Sequence, residues 1–145
     1  MKKVTGAGGI FYCRSTKRFL FLLRDDSKYK HKWGFPGGKV EESETIVRGL
    51  EREIIEELGI MLNIEKIIPI ELYLSKDKGF EYGTYICIVE NEFLSESVST
   101  LCWADLGHLP KNIHIGLKNT LNNNLIRTKI ETVLELHNDS IIINQ

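Results

Sequence analysis

The chain of 145 residues has few of the residues that cross-link or interrupt a fold. Its three cysteines, Cys13, Cys87 and Cys102, are odd in number and form no CxxC pair. They argue against a disulfide framework and a cysteine zinc site, and read as reduced core thiols in a cytoplasmic protein. Prolines number only three, and there is no internal repeat or low-complexity block. Nothing marks a linker, so one domain over residues 1–145 is expected. No apolar run approaches the ~20 residues needed to cross a bilayer, so no membrane span is expected. The basic start, Met1 to Val4, runs into Thr5, Gly6, Gly8 and Gly9 rather than the apolar stretch of a signal peptide. An excess of either charge is missing too. Nineteen basic and twenty acidic residues give a net charge of −1, without the basic surplus of a dedicated nucleic-acid binder. What is present, 42% hydrophobic and 27% charged residues, suits an ordinary globular chain and not a disordered, collagenous or coiled-coil one.

The pattern along the chain is mixed α and β. Val4–Cys13 is glycine-rich but ends in Ile10, Phe11, Tyr12 and Cys13, a first strand. Arg18–Arg24 is short, apolar and aromatic and reads as a buried strand, with a hairpin turn at residues 15–17. The stretch from Trp33 to Gly38 reads as a tight irregular turn. A helix follows, with Ser43 as N-cap, Glu44 in the first turn at the positive end of the dipole, and Gly59 stopping it. Ile46, Val47, Leu50, Ile54 and Leu58 form its apolar stripe. Strands are expected at Ile64–Leu74, Glu81–Glu90 and Thr100–Trp103. A short helix with Leu117 and Leu121 comes next, then a last helix to about Asn138, separated by Asn122, Asn123 and Asn124.

The helix is the informative segment. Glu53, Glu56 and Glu57 stand at i, i+3 and i+4, within about 100° of its circumference and beside the apolar stripe. Like charges so spaced repel by a few tenths of a kcal/mol per close pair. Arg52 is the only nearby cation, about 80° or more around the helix from Glu53 and Glu57. Ligation by a divalent cation would turn that repulsion into attraction. Carboxylates without histidine or cysteine suit Mg²⁺ or Mn²⁺. An exposed, solvated acidic face is the plain alternative. Gly49 is a second oddity, because a mid-helix glycine costs about 1 kcal/mol against alanine. It reads either as close packing of a neighbouring strand or as clearance for a loop or phosphate.

From Gly38 to Ile60 the chain resembles the Nudix (MutT-like) box, Gx5Ex7REUxEExGU with U an aliphatic residue. All nine specified positions match: Gly38, Glu44, Arg52, Glu53, Ile54, Glu56, Glu57, Gly59 and Ile60. The lead-in from Trp33 to Lys39 is similar to the family's as well; Gly49 departs from the usual alanine. The resemblance implies an α/β (α+β) fold, an α/β/α sandwich with a mixed β-sheet. It implies a metal-dependent pyrophosphohydrolase that splits a nucleoside diphosphate linked to a group X, with Mg²⁺ or Mn²⁺ as cofactor. Glu53, Glu56 and Glu57 would hold the metal and supply the base, the Gly37 carbonyl would join them, and Arg52 and Glu44 would orient the carboxylates. Lys39, Phe35 and Gly38 are the expected substrate contacts. Glu81, Glu90, Glu92 and Glu96 are candidates for a distal ligand, and Tyr29, Phe80, Tyr82 and Trp103, with Phe35, for stacking on a base. The partner is then a small nucleotide: ADP-ribose, a nucleotide sugar, a dinucleotide or a (d)NTP. A homodimer stays open. A nucleotide-sensing module without hydrolysis is the alternative on the same fold.

Overall fold

The computed structural model describes residues 3–24, 32–59, 62–95 and 100–143. Seven strands form one mixed sheet: β1 (Val4–Cys13), β2 (Arg18–Arg24), β3 (Lys32–Gly34), β4 (Gly37–Val40), β5 (Lys66–Leu74), β6 (Phe80–Val89) and β7 (Leu101–Ala104). The described residues also form three helices: α1 (Ile46–Leu58), α2 (Ile115–Asn122) and α3 (Asn124–Ile143). The main path of the sheet runs β3-β2-β1-β6-β5, with β4 added to β1 and β7 to β2. β1 is the organising strand. It pairs in parallel with β6 over all ten of its residues, and its other edge is shared by β4 at the start and β2 at the end.

Successive side chains of a strand face opposite ways, and here each face has its own core. Ala7, Phe11 and Cys13 of β1 meet Leu50, Ile54 and Leu58 of α1. Ile10 and Tyr12 meet Leu117 and Leu121 of α2 and Ile126 and Ile130 of α3. The result is the expected α/β/α sandwich, and the helical stripe at Leu50, Ile54 and Leu58 is fully buried. Each such side chain contributes roughly 1.5–3 kcal/mol of burial. Cys13 and Cys87 are buried, and burial pushes the Cys87 thiol up to about 12, as fits an inert core thiol. Among the described residues no helix is long and apolar enough to cross a membrane.

Three local expectations need correction. The segment from Trp33 to Gly38 is two short strands joined at Phe35 and Pro36, because β3 finds β2 and β4 finds β1 as pairing partners. Thr45, not Ser43, caps α1: its Oγ1 accepts from the Arg48 N–H at 3.2 Å, and no acidic residue lies in the first turn. Glu44 therefore sits outside the helix. The last helix continues past Asn138 to Ile143. Its start is set as expected: the Asn123 side chain accepts from the N–H groups of Leu125 and Ile126, which separates α2 from α3.

Candidate functional site

α1 lies across β4, and its position is set by its two ends and its buried stripe. At the far end Gly59 takes φ 70°, a left-handed conformation that costs glycine little, and its N–H closes the last turn on the Ile55 carbonyl. The buried stripe turns Glu53 and Glu57, one helical turn apart, toward β4. The Glu53 carboxylate rests directly on Gly38: a Cβ built there would lie 2.4 Å from its Cδ and Oε2. Glu57 accepts the backbone N–H of Gly37 at 3.1 Å. Gly37 has no room for a side chain either, since a Cβ would fall 2.3 Å from the Ala7 carbonyl oxygen. Two carboxylates of one helix thus sit on successive residues of one strand.

Arg52 fastens the arrangement. Its Nε and Nη2 hold both oxygens of Glu44, at 2.8 and 3.0 Å, and Nη2 also donates to the Lys39 carbonyl at 2.9 Å. Its Nη1 reaches Glu53 at 3.1 Å and Glu56 at 3.2 Å. All five N–H donors of the guanidinium are engaged. The sequence reading placed this cation too far around the helix to compensate the face. That angle refers to the backbone, and the long side chain spans it. The Arg52 bonds, with the Glu41 backbone N–H, hold the Glu44 carboxyl below its ordinary range, and Glu44 raises the Arg52 pKa in return.

Glu56 differs from its neighbours. Its side chain is 60% exposed, against 21% for Glu53, and leans toward Arg52. Among the described residues no three acidic, histidine or cysteine side chains are gathered as an ion cage. The donors nevertheless fit a hard divalent cation. They are carboxylate oxygens only, and the side-chain-free strand Gly37-Gly38 lets two of them lie close to backbone.

The remaining expected residues are spread around this centre. Lys39 is exposed. It shares a sheet face with Gly6, its partner in the β1–β4 register, whereas Gly38 faces α1. Beside it a depression of about 380 Å³ is lined by Lys3, Val4, Thr5, Lys39, Val40, Glu41, Glu42 and Ser43. Phe35 is half-buried and stacks on Phe21 at 5.4 Å. Of the distal acids, Glu81 accepts from Thr5 and Lys3, Glu90 from Arg14, and Glu92 binds Arg18 through both oxygens. Glu96 and Tyr29 lie outside the described residues. Trp103 is a core residue whose Nε1 donates to the Phe93 carbonyl.

Gly49 answers to packing. A Cβ there would meet both γ carbons of Val40 at 2.8 Å, so β4 occupies the space, and the idea of clearance for a phosphate is set aside. One feature escaped the sequence reading: the Tyr82 ring covers Gly6 and Gly8 of β1. Two glycines two residues apart on a central strand were the available signal.

An acidic helix laid over a glycine strand, with an arginine clamp, in an α/β/α sandwich defines the Nudix class of folds. The chain belongs to this family, residues 2–121 matching the NUDIX domain. It is 45% identical over 80 residues to an 8-oxo-dGTP diphosphatase of Buchnera aphidicola, covering 48% of this chain and 64% of that one. It is 27% identical over 122 residues to the 8-oxo-dGDP phosphatase NUDT18 of Danio rerio, covering 78% of this chain and 36% of the other. The chain thus spans less than two thirds of these relatives' lengths. A NUDIX hydrolase structure from Nitrosomonas europaea superposes with a TM-score of 0.67 at 19% identity, over 86% of this chain and 71% of that one. Nudix proteins generally use divalent metal ions.

Proposed function

We propose that this protein is a divalent-metal-dependent pyrophosphohydrolase of nucleotides, acting on a nucleoside triphosphate of the 8-oxo-dGTP kind. The observation that carries the reading is the seating of Glu53 on Gly38 and Glu57 on Gly37. It gives a fixed pair of carboxylates at an open strand edge. The names of the two relatives both favour an oxidised guanine nucleotide, and that of the Buchnera relative favours the triphosphate. Mg²⁺ or Mn²⁺ would be held by Glu53, Glu56 and Glu57 with the Gly37 carbonyl. When bound, it would neutralise the anhydride's charge and lower the pKa of water.

The chain's own residues supply the rest. Arg52 fixes the direction of Glu53 and ties it to β4 through the Lys39 carbonyl; Glu44 fixes Arg52. Gly38 leaves room for the Glu53 carboxylate against the backbone of β4, and the Gly37 N–H holds Glu57 beside it. Lys39 supports them with its charge. One carboxylate of the pair takes the proton of the attacking water. Water adds to one phosphorus, the bridging oxygen leaves with its electron pair, and the products are a nucleoside monophosphate and pyrophosphate.

The test is a hydrolysis screen with product identification over 8-oxo-dGTP, dNTPs, ADP-ribose, nucleotide sugars and dinucleotides, with Mg²⁺ or Mn²⁺. The expected result is monophosphate and pyrophosphate from a triphosphate, abolished by EDTA. Glu53→Gln and Glu57→Gln are each expected to lower kcat by at least about 10²-fold with the circular dichroism unchanged. Turnover that persists in excess chelator would overturn the metal reading. Nucleotide binding without hydrolysis of any substrate would favour a sensing module.

A further inference from the structure

We infer that Tyr82, lying flat on Gly6 and Gly8, is the platform for the nucleotide's base and the residue that selects a flat ring. Three observations converge on it. The first is the floor. In the parallel register Gly6 is opposite Tyr82 and Gly8 opposite Thr84, so these residues share one face of the sheet. A Cβ at Gly6 would lie 2.8 Å from Tyr82 Cδ2, and one at Gly8 2.3 Å from Tyr82 Oη. Glycine is disfavoured inside a central strand and marks close approach by another group. Both glycines here serve one ring, whose whole length runs along β1.

The second observation is the outward side. Tyr82 is only partly buried, and its ring neighbours Phe80 at 6.3 Å, which neighbours Tyr73 at 6.2 Å. Phe80, Tyr73 and Val4 remain 39%, 53% and 48% exposed. A contiguous exposed apolar surface of this kind marks a binding site more often than a solvated one. Aromatic rows on a sheet face hold bases by stacking, because every base presents a π-face.

The third is location. The Cβ position of Gly6 is 3.5 Å from the Gly38 carbonyl oxygen. The platform therefore begins one strand away from the residue that seats Glu53. Lys39 lies on the same face as Gly6. Glu53 lies on the α1 face of the sheet and Tyr82 on the other, so a nucleotide that reaches both passes over the edge of β4 beside Lys39.

This inference rests on the nucleotide reading above, and binding of a monophosphate tests it without turnover. The probes are GMP and ribose 5-phosphate, which share the phosphate and differ in the base, titrated calorimetrically in Mg²⁺ buffer. The parent should bind GMP at least about tenfold more tightly than ribose 5-phosphate. Tyr82→Leu should abolish that difference and leave ribose 5-phosphate unchanged, whereas Tyr82→Phe should keep it. Gly8→Ala should weaken GMP binding by lifting the ring. Adding Tyr82→Phe to Gly8→Ala should restore much of it, because the new Cβ would then meet Cζ at 3.1 Å and Cε1 at 3.2 Å in place of Oη at 2.3 Å. The inference fails if the parent shows no preference for GMP, if Tyr82→Leu binds GMP like the parent, or if that variant loses both ligands equally. Metal-dependent hydrolysis with base-blind binding would overturn this inference alone. Preference for GMP without hydrolysis of any nucleotide would overturn only the hydrolase reading.

Discussion

The Glu53 carboxylate occupies the space where a side chain of Gly38 would begin, with Cδ and Oε2 both 2.4 Å from that point. The glycine holds open the seat of the carboxylate. The obstructing atoms are the far end of a flexible side chain, so Gly38→Ala can be accommodated by moving Glu53 rather than the backbone. We expect it to change the midpoint of urea unfolding little and to lower kcat by about 10²-fold or more, as a misplaced reacting group does. An active Gly38→Ala would show that the position of Glu53 does not matter.

Arg52→Lys should separate charge from geometry. Lysine keeps the positive charge but has three donors on a point instead of a planar fork of five. It cannot hold both oxygens of Glu44, Glu53 and the Lys39 carbonyl together. Activity should fall at least about tenfold at saturating metal, and the thermal midpoint should drop. Full activity in Arg52→Lys would reduce the clamp to an electrostatic effect.

Gly49→Ala sets helix propensity against packing. Alanine gains up to about 1 kcal/mol in propensity. Its Cβ would press on both γ carbons of Val40, a branched and buried side chain that cannot swing away, and overpacking of this kind costs about 1–3 kcal/mol. Net destabilisation in chemical unfolding is expected, larger for Gly49→Leu, and relieved when Val40 is also made Ala. A Gly49→Ala protein more stable than the parent would show that β4 yields.

The contact between α3 and β5 should weaken in mild acid. Lys66 Nζ lies 2.8 Å from His137 Nδ1. Burial, then the charges of Lys66 and Arg14, hold the His137 pKa below 6.5. The folded state therefore keeps the ring neutral, while the unfolded chain takes up a proton near pH 6.5. This contribution is present above that pH and is lost as the pH falls through 6.5 toward the folded value. The thermal midpoint of the parent should decline over that window more than that of His137→Gln. Parallel curves would show that the pair does not matter.

Much of this protein was set by local pattern. The stripe at Leu50, Ile54 and Leu58 required a helix against a sheet, and the spacing of Glu53, Glu56 and Glu57 put carboxylates beside it, because 3.6 residues per turn is a property of the backbone alone. The glycine at 59 ended the helix for an equally local reason. What local pattern could not decide were contacts between segments distant in the chain. Whether Gly49 cleared a phosphate or a strand depended on Val40, nine residues earlier, being brought against it by β4. Whether Arg52 reached the acids depended on a long side chain crossing to Lys39 and Glu44. Residues 33–38 looked like a turn because strands three and four residues long carry too little periodicity to be seen until β1 and β2 supply their hydrogen bonds. Gly6 and Gly8 were simply a weak strand until Tyr82, more than seventy residues away, lay down on them. Helical spacing is written in neighbouring residues; the fit of one side chain into another's absence exists only once the chain has closed on itself.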